Sequence, residues 1–263
     1  MQILNKKDVD DLVTWFNDYI RRFDLGHNDW QRNIELKKEH SLRVSDECRH
    51  IGEELDLAES RLYLAEILGL FHDIGRFEQY AQYKTFMDRD STNHAELGES
   101  VLRETGVLNR LDETTQEIIY RAVRFHNLAE IPGNVNGDLL FYTKLLRDAD
   151  KLDIYKVVTD YYHRTDKEKN DAIELNLPDS PGISSAVYDD LMKGQFVKTD
   201  HIQNLNDFKM LQIGWVYDIN FEPTMRFIVE RGYLDLIKAV LPDTNEIDEV
   251  FARIDSFINE KAA

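Results

Sequence analysis

An all-α fold is what this sequence predicts, on three observations. Apolar residues recur at helical spacing through most of the chain, glycine and proline are scarce at 12 and 5 in 263 residues, and no stretch alternates well enough to demand a strand. Residues 7–23 carry Val9, Leu12, Val13, Phe16, Ile20 and Phe23 on one helical face. A mostly polar second helix is expected over 28–54, with Ile34, Leu42, Val44 and Ile51 turned inward. Residues 57–76 are more apolar, through Leu62, Leu64, Ile67, Leu68, Leu70, Phe71 and Ile74, and read as a buried central helix ending near Gly75. Residues 77–92 look irregular, and the run from Asp88 to Asn93 is a loop that makes a good helix start. Helices follow over 94–104, with Gly106 as the C-cap, and over 112–125. Pro132, Gly133 and Gly137 make 127–137 a loop, after which 138–160 is again apolar and helical, through Leu139, Leu140, Leu145, Leu146, Leu152 and Ile154. A polar connection over 163–183, with Pro178 and Pro181, suits a lid, a linker or a disordered strip. Residues 184–261 read as further helices, with Pro223 in a first turn and Gly232 and Pro242 as stops. No repeat, low-complexity tract or clear domain boundary is visible, so a single domain over 1–263 is expected, its C-terminal helices packed on the same core.

Charge and composition exclude several classes of function. A formal net charge of −18 repels phosphate backbones, so general nucleic-acid binding is not expected, although a local basic pocket can still hold one nucleotide or phosphate ester. The single cysteine, Cys48, rules out a disulfide within the chain and a cysteine-based zinc site. The N-terminal residues lack the apolar run of a signal peptide and no stretch approaches a membrane span, so a cytoplasmic protein is expected. There is no Gly-rich phosphate loop and no motif for a Ser-His-Asp or Cys-His nucleophile.

Chemistry concentrates in short pieces: His40-Ser-Leu-Arg43-Val44, Phe71-His72-Asp73-Ile74-Gly75-Arg76, His94-Ala-Glu-Leu-Gly98, Arg124-Phe-His126-Asn127 and Asp148-Ala-Asp150-Lys-Leu-Asp153. A lone His-Asp pair means little in a chain this rich in aspartate. His72-Asp73 closes a strongly apolar helix, however, where a charged carboxylate costs several kcal/mol, roughly, unless it is paired or bound to a metal. Imidazole nitrogen with carboxylate oxygen suits a divalent transition ion. No His-x-x-x-His pair is present, so such an ion must gather ligands from several helices. The other histidines, His27, His50, His163 and His201, have no motif around them and are expected at the surface; Trp215, Tyr217 and Phe221 read as core, with Asp218 and Asn220 as possible pocket-lining groups.

The order His, His-Asp, His, His, Asp, with the letters around it, resembles the HD-domain superfamily of metal-dependent phosphohydrolases over about residues 30–160. His40-x-x-Arg-Val, Phe-His-Asp-Ile-Gly-Arg, His94-Ala-x-x-Gly and Ala-Asp150-Lys-Leu-Asp are similar to that family's successive motifs. The resemblance implies a compact HD-domain helical bundle with additional C-terminal helices. It implies one or two divalent ions (Mn, Fe, Co, Ni, Zn or Mg). His40, His72, Asp73 and Asp150 would hold the first, and His94 and His126 would be the extra ligands of the di-metal subgroup, with Asp73 bridging. Asp148 competes with Asp150 for the last position, and the letters Ala-Asp-Lys-Leu favour Asp150. Arg76 is expected to grip a phosphate oxygen, and Arg43 to do the same or to support Asp73. The implied reaction is hydrolysis of a phosphorylated small molecule, a nucleotide or small phosphoester, with Asp73 orienting the attacking water or taking its proton. The subgroup with a Gly-Tyr-Pro signature carries a second His and a Glu after the fourth histidine, where this chain has Asn127 and Leu128, so cyclic di-GMP is not favoured. Nothing matches the synthetase half of the stringent-response enzymes. Two rivals share the ligand pattern: a di-iron oxygenase and a non-catalytic nucleotide sensor.

Overall fold

A computed structural model of the chain describes residues 2–24, 26, 28–165 and 170–262; His27 and part of the 163–183 connection lie outside them. Every regular element among the described residues is a helix. These residues divide into two compact units, Met1–Asp153 and Ile154–Ala263, with the boundary inside a helix. No helix among them is long and apolar enough to cross a membrane.

The first unit holds α1 (Lys6–Arg21), α2 (Asn28–Glu54), α3 (Glu59–Phe71), α4 (Gly75–Tyr83), α5 (His94–Thr105), α6 (Glu113–Phe125) and the start of α7 (Gly137–His163). Helix α1 begins in a capping box: the Asn5 side chain accepts from the backbone of Lys7 and Asp8, and Asp8 reaches back to the Asn5 N–H. Its inward face is the one expected, with Leu12 and Phe16 fully buried. In α2 the buried apolar side chains are Ile34, Val44 and Ile51, joined by Trp30 and Cys48, whereas Leu42 is only half-buried. Helix α3 is the core element, with Leu64, Ile67, Leu68 and Phe71 at 0% exposure; each such side chain contributes about 1.5–3 kcal/mol on burial. It packs against α1, α2 and α6. Gly69 lets it lie flat on α2, because a Cβ there would stand 2.6 Å from both the Cα and the N of Ser45.

Two expectations fail at the end of this helix. It does not run to Gly75: α3 ends at Phe71, residues 72–74 form a turn, and α4 then occupies Gly75–Tyr83, a stretch that sequence pattern left irregular. The aromatic residues there are spaced for a helix, but only Phe77 is fully buried, so the apolar period is faint. Helix α4 stops at Lys84, which takes a left-handed conformation with φ 59°. A short 3-10 turn, Asp88–Asp90, follows, and the Asn93 side chain then caps α5 through the backbone N–H groups of Ala95 and Glu96. Helix α5 lies between α4 and α6 and ends at Gly106, whose φ of 62° makes the expected C-cap.

The second unit contains the rest of α7, α8 (Asp171–Glu174) within the polar connection, α9 (Ser185–Met192), α10 (Leu205–Gly214), α11 (Glu222–Glu230), α12 (Tyr233–Lys238) and α13 (Asn245–Ala262). Its core includes Tyr155, Leu191, Ile213, Val216, Ile237 and Ile254. Trp215, Tyr217 and Phe221 are half-buried rather than core; the first two lie in the 3-10 turn Trp215–Asp218, which points Val216 inward instead, and Phe221 follows it. Asn220 and Phe221 line a shallow groove with Met225 and Ile258. His50 and His163 are exposed as expected, but His201 is half-buried, its Nδ1 2.6 Å from the carboxylate of buried Asp190.

Candidate metal centre

All six residues that the motifs single out converge within the first unit. His40 comes from α2, His72 and Asp73 from the turn after α3, His94 from the first residue of α5, His126 from the C-cap of α6 and Asp150 from α7. His40, His72, Asp73, His94 and His126 are all buried, and Asp150 is half-buried.

The four imidazoles are each held by one nitrogen so that the other faces inward. His72 donates Nδ1–H to the Gly69 carbonyl at 2.8 Å, and His126 donates Nδ1–H to the Val123 carbonyl at 2.6 Å. His40 directs Nδ1 at the Asp153 carboxylate at 2.6 Å, and His94 directs Nδ1 at the Asp88 carboxylate at 2.7 Å. Oxygens of this kind can only accept, so each Nδ1 carries a proton, and in the neutral imidazole Nε2 then carries a lone pair. The Nε2 atoms then meet in pairs, His40 with His72 and His94 with His126, each 3.1 Å apart. Lone pair facing lone pair inside a protein is repulsive unless a cation stands between them.

Asp73 serves both pairs. Its Oδ2 lies 3.6 Å from Nε2 of His40 and of His72, and its Oδ1 lies 3.3 Å from Nε2 of His94 and 3.8 Å from that of His126. Asp150 joins the first pair, its Oδ1 3.2 Å from His40 Nε2 and 3.6 Å from His72 Nε2, and that oxygen is buried without a hydrogen-bond partner. The geometry groups Asp150, not Asp148, with His40 and His72 as a set able to hold a metal, and His72, Asp73 and His126 as another. A spacing of 3.1 Å fits two imidazole nitrogens each about 2.1 Å from one ion. The donor set therefore fits a divalent transition ion in the first half, and the second half repeats its pair of imidazoles facing an Asp73 oxygen.

That repetition extends outward. In each half one imidazole is anchored by a main-chain carbonyl three residues back and the other by a carboxylate that an arginine clamps. Arg43 closes on Asp153 with two bonds, at 2.6 and 3.0 Å. Arg76 donates to Asp88 at 2.9 Å, to Gln79 and to the Phe86 carbonyl, while its Nε lies 3.4 Å from Asp73 Oδ1. Asn127 adds a bond from its Nδ2 to Asp88 Oδ2, so the position after the fourth histidine braces a supporting carboxylate. Arg147 fixes the chain beyond His126 through the carbonyls of His126 and Leu128. Sequence reading gave no role to Asp88, Lys37 or Gln79, and none to Asp153 beyond its place as the last letter of the fifth motif. For Lys37 the signal was helical spacing, three residues before His40; Asp88 had none.

The electrostatics suit the arrangement. Burial, reinforced by His94 and His72, pulls His126 down to about 3, and burial with Arg76 lowers His94, so both stay neutral at physiological pH as metal ligands must. Burial works against the charge on Asp73, yet Lys37, His72, Arg76 and His94 hold its carboxyl well below the usual range. Asp150 is held down in the same way, against burial, by His40 and His72. Burial also opposes ionisation of Asp88, whose bond from His94 brings it to about 2. Charge at Asp88 and Asp153 keeps the imidazoles oriented and basic. Replacing Asp153 by Asn is expected to weaken the first-half ion about 10-fold or more, and Asp88→Asn the second-half ion likewise, which a two-site metal titration of each variant would resolve; equal loss at both sites in both variants would contradict the division into halves.

Against protein-family models, residues 38–155 match the model described as HD domain. Searches of curated proteins and of solved structures each return no match.

Proposed function

From the match of residues 38–155 to the HD-domain model, we propose that the chain is a metal-dependent phosphohydrolase of that superfamily, using water to cleave a phosphate ester bond of a nucleotide or small phosphoester. The observation that carries the reading is the position of Asp73, one buried carboxylate offering each oxygen to a separate pair of imidazole Nε2 atoms. That arrangement favours two ions over one. When bound, divalent ions at this centre acidify water and neutralise charge on phosphoryl oxygens.

The chain's own residues do the rest. His40, His72, Asp73 and Asp150 would hold one ion, and His94, His126 and Asp73 would hold a second. Asp73, whose charge survives burial, is the group placed to orient water or hold its proton between the two. Arg76 is 15% exposed at its side chain and anchored by Asp88 and the Phe86 carbonyl, which makes it a fixed positive charge beside the second half for an anionic substrate.

Purified protein is expected to contain a divalent transition metal by elemental analysis. It should release phosphate or alcohol from an aryl phosphate ester or a nucleotide, lose that activity with a chelator and regain it with the metal found. Its melting temperature should rise on metal addition, since metal at 100 times its Kd stabilises a folded protein by about 2.7 kcal/mol. No turnover with any of Mn, Fe, Co, Ni, Zn or Mg would sink the reading. Iron with oxygen uptake and no phosphate release would favour the oxygenase, and tight nucleotide binding without turnover the sensor.

A further inference from the structure

Lys37 lies three residues before His40 on α2, so the two side chains share a helix face. Its Nζ donates to Asp73 Oδ2 at 2.8 Å, the same oxygen that faces Nε2 of both His40 and His72. An ammonium and a divalent ion on one carboxylate oxygen repel each other, so each weakens the other's hold on it. The two cations beside Asp73 are built differently. Arg76 is tied by Gln79, Asp88 and the Phe86 carbonyl and has no room to move without breaking all three. Lys37 is a point charge on a flexible stem, and its side chain is 20% exposed, so it borders solvent. The Phe86 ring, 5.5 Å from Nζ, also faces the charge.

We propose that Lys37 and the first-half ion compete for Asp73 Oδ2, and that the bound ion turns the ammonium outward to the mouth of the centre, where it meets the anionic group of the substrate. The lysine thus has two uses, compensating a buried carboxylate and then supplying a movable cation. The competition rests only on the metal centre; the contact with substrate rests on the phosphohydrolase reading.

The test uses the full chain, freed of metal by chelation and then titrated with Mn2+ alone. Reductive methylation followed by mass spectrometry should show Lys37 modified several-fold faster once Mn2+ is bound. Lys37→Gln should lower the melting temperature of the metal-free protein by about 3–5 °C and leave that of the Mn2+-loaded protein unchanged. It should bind Mn2+ about tenfold more tightly. It should also raise the KM for an aryl phosphate several-fold. Lys37 staying protected with Mn2+ bound, or Lys37→Gln lowering both melting temperatures equally, would overturn the competition and leave a structural lysine. An unchanged KM would overturn the substrate contact alone. Failure of Mn2+ and every other divalent ion to bind would overturn this inference and the proposed function together, whereas metal-dependent turnover with a protected Lys37 overturns only this one.

Discussion

Asp73→Asn is expected to abolish turnover, with kcat/KM for an aryl phosphate or nucleotide down by about a thousandfold or more, and to reduce bound metal to less than about half of the parent's. The size follows from position. Each oxygen of Asp73 faces a different pair of imidazoles, so one substitution removes the shared negative charge from both halves. A thousandfold is about 4 kcal/mol of barrier, within what metal-assisted charge stabilisation contributes to phosphoryl transfer. Asparagine keeps the shape of aspartate, so the fold should survive, although the cations of Lys37 and Arg76 lose the charge they face. Circular dichroism would confirm the fold, elemental analysis would count the metal, and His50→Ala, an exposed histidine outside the cluster, is the neutral control. Full metal content and undiminished turnover in Asp73→Asn would mean that the bridging carboxylate is not the heart of the centre.

How much of this could be read from the letters alone differs between the inner and outer shells of the site. The six inward-facing groups sit in short motifs whose order resembles a known family, and His72-Asp73 stands out because charge follows so apolar a run. The groups that hold them are set by contacts far apart in the chain. Asp153 meets His40 across 113 positions, and although it closes the last motif nothing in the letters says which residue it holds. Asp88 lies in the loop expected before α5, but that expectation concerned helix capping; its bond to His94 depends on the turn that carries it back over α4. The fold shows the same divide. The boundaries of α5 and α6, carried by Asn93, Gly106 and Asp112, agree with local chemistry. The end of α3 does not, since Ile74 continues its apolar period while the backbone has already turned. Arg76 therefore lies in the first turn of a new helix, and its guanidinium reaches Asp88.

The reason for that turn leads to the second large effect. Gly75 opens α4 where it meets the first turn of α5: a Cβ on it would lie 2.2 Å from the carbonyl oxygen of His94 and 2.5 Å from the backbone N of Gly98. Both obstacles are main chain, so no rotamer change relieves them, and α5 must retreat. Alanine is otherwise the better helix former by about 0.5–1 kcal/mol, so propensity alone predicts a small gain from Gly75→Ala. Overpacking of a tight contact costs about 1–3 kcal/mol and more against backbone, so the steric term should win, with a net loss of about 3 kcal/mol in denaturant unfolding. Gly133→Ala, where nothing stands within 4 Å of the added carbon, should change stability by about 0.5 kcal/mol at most. The loss should also reach the chemistry, because His94 moves with its carbonyl and its Nε2 is the partner of His126 Nε2 at 3.1 Å. Gly75→Ala protein that remains folded should therefore bind metal normally at the His40/His72 half and weakly at the His94/His126 half. A variant as stable as the parent, with both ions in place, would show that α4 and α5 do not approach this closely and that the glycine is not what seats the second pair of histidines.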